Sequence, residues 1–228
     1  MEQEVRHVLP ADIERTSMEI IGAELSQMGV ALPEETEAVV KRVIHTTADF
    51  DYVGNLRFTS HAVARAVEAL RSGTVIVTDT NMARAGVNKA GLGKLNGEAL
   101  CFMADPEVAA AAKAAGSTRA AAAVERAVRA YPQAVFAVGN APTALLRLCE
   151  LMADGLRPAL VIAAPVGFVN VVESKRRMFE MCEAIGVPCI AAMGRKGGSN
   201  VAAAICNALI YTALDALDPT KRGAKLEA

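Results

Sequence analysis

Five short, almost wholly apolar runs recur along the chain: Thr74–Thr78, Ala99–Met103, Ala134–Val138, Ala159–Ala163 and Val187–Ala191. Each is bounded by Gly, Asp, Asn or Pro. A continuous apolar run of this length has no polar face to offer water, so it suits a strand buried on both sides, as parallel strands are. Ala-rich stretches with helical spacing, about 10–18 residues each, separate the runs. That alternation is the signature of βα units, which build a parallel sheet with helices on both faces.

Three further helical segments precede the first run, near residues 10–28, 33–48 and 58–72. Leu32-Pro33-Glu34-Glu35 opens the second, with Pro in the first turn and acids at the positive end of the helix dipole. The expectation is one domain over residues 1–228, a three-layer α/β/α fold with a mainly parallel, Rossmann-like, five-stranded sheet. It divides into an N-terminal helical extension (1–72), an α/β core (73–217) and a polar tail (218–228).

Composition excludes several classes of function. With 53% hydrophobic residues the chain is not a disordered segment, and with 4% aromatics and no Trp it lacks stacking platforms for single-stranded nucleic acid. Lys and Arg number 24 against 25 Asp and Glu, so no basic stripe offers itself to nucleic acid or an anionic membrane. No run of 18 or more apolar residues is present, and residues 1–6 (MEQEVR) carry acids before any apolar run, unlike a secretory signal. Cys101, Cys149, Cys182, Cys189 and Cys206 are odd in number, dispersed and without a CxxC pair, which fits reduced thiols packed as core filler. A cytoplasmic protein without a bound metal is expected, since the three His are scattered and form no HxxxH or Cys–His pattern.

Ligands of open α/β sheets bind beyond the carboxyl ends of the strands, so the residues after each run are the first candidates. They are Asp79-Thr80-Asn81, Ala104-Asp105-Pro106, Gly139-Asn140-Ala141-Pro142-Thr143, Pro165–Asn170 and Gly194–Asn200. Asn140 reads as a helix N-cap with Pro142 in the first turn, and the same helix start is suited to a carboxylate or phosphate. Neither GxGxxG nor a P-loop is present, so a nucleotide site has little support. Arg195 and Lys196 beside Gly197 and Gly198 form either an anion cradle or a loop of solvated charges.

The segment Lys41–Asp51 closes the second helix and places Arg42, His45 and Asp49 at i, i+3 and i+7, on one helical face. Val39, Val40, Val43 and Ile44 point to the core. A His between a cation and a carboxylate is suited to proton transfer near neutral pH, although a lone His is more often structural. His7 and His61 have weaker contexts, and His61 reads as a surface or capping residue. Ser17 is either a satisfied helix hydroxyl or a contact residue. Arg119 follows the N-cap candidates Ser117 and Thr118, and Glu173-Ser174-Lys175 reads as an exposed first helical turn or as a site.

Taken together, IERTSMEII (13–21), RVIHTTADFD (42–51), TDTNMA (78–83), GNAPTALLRL (139–148), APVGFVNVVESK (164–175) and GRKGGSNVAAAICNAL (194–209) resemble the precorrin-8X methylmutases of cobalamin biosynthesis, over essentially the whole chain. HTTADFD is more similar to the cobalt-precorrin-8 form than to its metal-free counterpart. The resemblance implies an isomerase that moves a methyl group from C11 to C12 of a corrinoid ring, giving cobyrinate or hydrogenobyrinate. It implies no cofactor (any cobalt belongs to the substrate) and a homodimer with the tetrapyrrole near the subunit interface. The family's catalytic His falls on His45, and its substrate-contacting positions fall on Ser17, Arg42 and Arg119. With Thr46, Asp79, Thr80, Asn81, Asn140, Thr143, Arg195 and Lys196 these form the expected site, a rim of cations and N–H donors for a flat apolar ring fringed by carboxylates. A non-catalytic corrinoid carrier is the competing expectation, and a nucleotide-dependent enzyme a more distant one.

Overall fold

The computed structural model describes residues 10–222. In chain order the elements are α1 (Pro10–Gln27), α2 (Glu34–Thr47), α3 (Tyr52–Asn55), β1 (Leu56–Phe58), α4 (Ala62–Arg71), β2 (Ile76–Thr78), α5 (Asn81–Gly86), α6 (Lys89–Lys94) and β3 (Ala99–Leu100). There follow α7 (Pro106–Ala114), α8 (Arg119–Ala130), β4 (Val135–Val138), α9 (Pro142–Ala153), β5 (Leu160–Ala163), α10 (Val171–Ile185), β6 (Cys189–Ala192), α11 (Ser199–Ala213) and a 3-10 turn, Pro219–Arg222.

The five expected strands are present, and a sixth joins them in the order β1-β6-β5-β4-β2-β3. All pairings are parallel except β1 with β6. Read from β3, the parallel strands follow the doubly wound order of flavodoxin-type sheets, whose switch point lies between β2 and β4. β1 falls just before and within the segment expected to be the third helix, which in fact starts only at Ala62. Nothing local marks Leu56-Arg57-Phe58 as a strand. Its pairing depends on the free edge of β6 and on Thr59, whose N–H donates to Cys189 O (3.0 Å) while its hydroxyl accepts from Cys189 N (2.8 Å).

β4, β5 and β6 are buried at every residue, as parallel strands covered on both faces must be. Their side chains alternate between two cores. Val135, Ala137, Leu160, Ile162, Ile190 and Ala192 pack with α4 and α11, and beyond these with α1 and α2. Phe136, Val138, Val161, Ala163, Cys189 and Ala191 pack under α8, α9 and α10. Within the N-terminal extension, α1 and α2 therefore form a further helical storey, with α2 laid on α11 through Val39, Val40, Val43 and Ile44, the four residues its periodicity assigns to the core, while β1 and α4 join the sheet and the layer upon it.

Gly139, just after β4, allows a close backbone approach in the sheet's carboxyl rim. A Cβ there would stand 2.8 Å from Ser199 Cα and 2.9 Å from Gly198 O, both backbone atoms that cannot swing away. Gly139→Ala should therefore cost about 1–3 kcal/mol, read as a lowered midpoint in urea unfolding. An unchanged midpoint would mean that the start of α11 is free to shift.

Candidate functional site

Asp79 organises the carboxyl ends of the strands. Its Oδ1 accepts Gly139 N–H (2.8 Å) and its Oδ2 accepts the N–H groups of Asn140 (2.8 Å) and Ala141 (2.7 Å). The expectation that Asp79 faces a ligand is corrected, because the residue is buried and both its oxygens are spent inside the fold. The expectation that Asn140 caps α9 is corrected with it. The cap is Ala141 without a side-chain bond, and Asp79, reaching across from β2, binds the N–H groups that precede the helix. Burial pushes the Asp79 carboxyl above its ordinary range, and the three N–H bonds pull it back. The carboxylate thus fills the helix start that this fold offers to phosphates at its switch point.

Around Asp79 the structure gathers the other rim residues. Thr80 caps α5 through Ala83 N–H (3.0 Å) and its hydroxyl meets Ser199 Oγ at 2.7 Å, joining the starts of α5 and α11. Thr118 caps α8, as expected, and donates to Thr143 Oγ1 at 3.0 Å, joining the starts of α8 and α9. Asn81, Arg119 and Asn140 stand exposed on this rim, and Arg119 makes no ion pair among the described residues.

The loop after β6 is held from beneath. Lys175 is fully buried, and its Nζ donates to Gly194 O (3.0 Å) and Lys196 O (2.7 Å). Sequence reasoning left this residue between an exposed turn and a site, since nothing local shows that the helix face at Lys175 meets the Gly194–Gly198 loop. Burial lowers its pKa to about 8. Gly198, at φ 135°, turns the chain into α11 and donates to Ala164 O. Arg195 lies over the exposed Phe168 ring (5.5 Å), with Val166 and Val169 also exposed beside it. Lys196, expected as a free cation of an anion cradle, is instead bound by Asp49 and Asp51, each at 2.6 Å.

That pairing also corrects the expected Arg42–His45–Asp49 face. α2 ends at Thr47, Ala48 takes a left-handed conformation (φ 53°), and the reversal carries Asp49 away to Lys196. Asp49 is held below its ordinary pKa first by that hydrogen bond. The carboxylate near His45 is Glu14 from α1, whose Oε1 lies 2.5 Å from Arg42 Nη2. Ser17, one turn along α1, returns its hydroxyl to Ile13 O (2.9 Å). His45 and Thr46 are exposed at the end of α2. Partial burial, and then Arg42, lower the His45 pKa, while Glu14 raises it and Arg222 lowers it. Arg42 also lines an open groove with Met18, Glu37, Lys41 and Leu217.

The expected residues thus fall into two groups, a strand-end rim and an α1–α2 face, linked by the Lys196 clasp on Asp49 and Asp51. His61 sits at the cap position of α4 without a side-chain capping bond, and His7 lies outside the described residues, as does the tail beyond Arg222. Among the described residues no three His, Cys, Asp or Glu side chains are grouped to hold a metal ion, and no helix is long and apolar enough to cross a membrane.

Two outcomes test this geometry. Asp79→Asn should cost about 2–4 kcal/mol, because the amide replaces one of the two acceptor oxygens with an NH2 group that faces N–H groups needing an acceptor. An unaltered unfolding curve would remove Asp79 from its organising role. For Lys175, the unfolded chain keeps its proton up to about pH 10.4 while the folded protein releases it from about 8. The unfolded state therefore binds more protons in that window, and stability should rise with pH across it relative to Lys175→Met. Parallel stability–pH curves for the two proteins would contradict the burial of a charged ammonium.

Residues 12–212 match the family model described as precorrin-8X methylmutase. The cobalt-precorrin-8 methylmutase of Salmonella typhimurium is 47% identical over 176 residues, 77% of this chain and 80% of that protein. The enzyme of the same name from Priestia megaterium is 39% identical over 203 residues, 89% of this chain and 88% of that protein. A crystal structure of precorrin-8X methylmutase from Thermus thermophilus, 40% identical, superposes with a TM-score of 0.79 and covers 89% of this chain and 98% of that one. On these matches and on its fold, the chain belongs to the precorrin-8X methylmutase family, a family of isomerases.

Proposed function

We propose that this methylmutase acts on cobalt-precorrin-8, moving the methyl group from C11 to C12 of the corrinoid ring to give cobyrinate. The reaction is an internal 1,5-shift, so no atom enters or leaves and no electron acceptor is needed. The catalytic task is to orient the macrocycle and to protonate, or hold a proton on, the ring C region so that migration becomes favourable. His45 is the group proposed for that proton. The observation that carries this reading is its place at the exposed end of α2, one turn beyond a guanidinium, in a chain whose relatives bear the methylmutase name.

Ser17, Arg42 and Thr46 are proposed to meet the substrate on the His45 side. Asn81, Arg119, Asn140, Thr143 and Arg195 are proposed to meet the carboxylate fringe of a ring lying on the rim. Thr80 and Lys196 contribute through the helix starts and the loop they hold. The cobalt-bearing form is favoured because several relatives of 37–47% identity carry the cobalt-precorrin-8 name. A flat macrocycle on the open His45 face needs a second wall, which supports a homodimer with the substrate near its interface. The exposed apolar residues Val166, Phe168 and Val169 favour a covered rim in the same way. The enzyme is proposed to work in the cytoplasm without a resident cofactor, cobalt being part of the substrate.

Anaerobic incubation with cobalt-precorrin-8 and, separately, with metal-free precorrin-8X tests the proposal by absorbance. Conversion to the cobyrinate or hydrogenobyrinate spectrum supports it, and the faster substrate identifies the natural one. Spectral perturbation without conversion would instead point to a carrier. His45→Ala should abolish turnover while the protein still folds and binds product, and retained turnover would remove His45 from the mechanism. If His45 is the acid, kcat should decline as pH rises through an imidazole pKa that lies below the ordinary value of 6.5.

A further inference from the structure

α1, α2 and the C-terminal 3-10 turn converge on a single carboxylate, that of Glu14. Its Oε1 takes Arg42 Nη2 at 2.5 Å, and Arg222 Nη1 lies 2.6 Å from Oε1 and 2.7 Å from Oε2. The Tyr211 ring of α11 lies against both cations, 5.2 Å from the Arg42 guanidinium carbon and 3.7 Å from that of Arg222. Arg222 is fixed further by donating to Ala216 O (2.9 Å) and Leu217 O (2.7 Å). The side chains of Arg42, Arg222 and Glu14 are only 12%, 16% and 22% exposed, so solvent screens their charges incompletely.

We propose that Glu14 is a positioning residue for His45: its carboxylate, from α1, cancels one of the two guanidinium charges gathered one helical turn from the imidazole and pins together α2 and the 3-10 turn, which carry them. The proposal rests on His45 being the proton-handling group of the reaction. His45 lies one helical turn from Arg42 on the same helix, and Glu14 from α1 and Arg222 from the 3-10 turn are drawn to that position by the ion pairs on Arg42 and Glu14. α3, α4 and α11, the other elements packed on α2, add no charge to these, and Asp49 is drawn off to Lys196. With Glu14 present the cluster facing the imidazole carries one net positive charge. Without it the cluster carries two, and the imidazolium that must deliver a proton is depleted at neutral pH.

The test is an NMR titration of the histidine ring protons in the ligand-free protein. The sequence has three His, and the His45 signals are identified by their loss in His45→Gln. Glu14→Gln should lower the His45 midpoint by roughly half a unit to one unit, and Arg222→Gln should raise it. Glu14→Gln combined with Arg222→Gln should bring it back close to that of the unsubstituted protein, and Glu14→Asp should hold it there. A purely structural role for Glu14 predicts lost stability with an unmoved midpoint, or shifts of one sign in both single variants; either result overturns the proposal. Should Glu14→Gln not fold, Arg222→Gln decides alone, upward for and unmoved against. Because the titration needs no substrate, its failure is separate from a failure to observe methyl migration.

Discussion

Asp79 is the interaction on which the working end of this fold depends. The doubly wound sheet reverses direction between β2 and β4, and that reversal opens a crevice where backbone N–H groups converge. In many such folds a bound phosphate answers those groups. Here an internal carboxylate from β2 takes the N–H groups of Gly139, Asn140 and Ala141. The absence of a glycine-rich nucleotide fingerprint follows naturally, since the anion place is filled by the chain itself. With those N–H groups taken inside the fold, Asn140 and Arg119 keep exposed side chains on the rim around them.

The second constraint is how the N-terminal extension is tied to that rim. α2 buries its valines and Ile44 on α11, which sets the helix's position and rotation. The left-handed Ala48 then ends it and sends Asp49 and Asp51 to Lys196. Lys196 is in turn part of a loop whose carbonyls are held by the buried Lys175. A continuous path of hydrogen bonds therefore runs from the α10 helix through the Gly194–Gly198 loop to the end of α2. The exposed Lys196 pairs add little stability individually, but they fix geometry because the loop beneath them is already rigid.

Much of this was legible without coordinates. The five parallel strands, the third-storey helices and the core face of α2 follow from apolar spacing, because burial on one or both faces imposes a period that the sequence must carry. Thr118 also reads locally as a cap residue, and it caps α8. By contrast, β1 has three residues and no pattern of its own, and it exists because β6 has a free edge. Lys175 reads as an ordinary charged helix residue until α10 is laid against the loop. Asp49 sits in register with His45 only if α2 runs on past Thr47, and the left-handed residue at 48 breaks that register.

The sequence by itself determined the class of fold, the family and the set of polar groups available at the strand ends, since these are written in local periodicity and in contiguous motifs. The tertiary structure decided which of those groups are spent and which are free. Asp79 went to the α9 turn, Lys196 to Asp49 and Asp51, and Glu14 to Arg42 and Arg222. Each of these pairings joins elements distant in the chain, and a charge finds its partner only when packing has fixed both helices. Pairing is a property of the folded surface, and no local pattern encodes it.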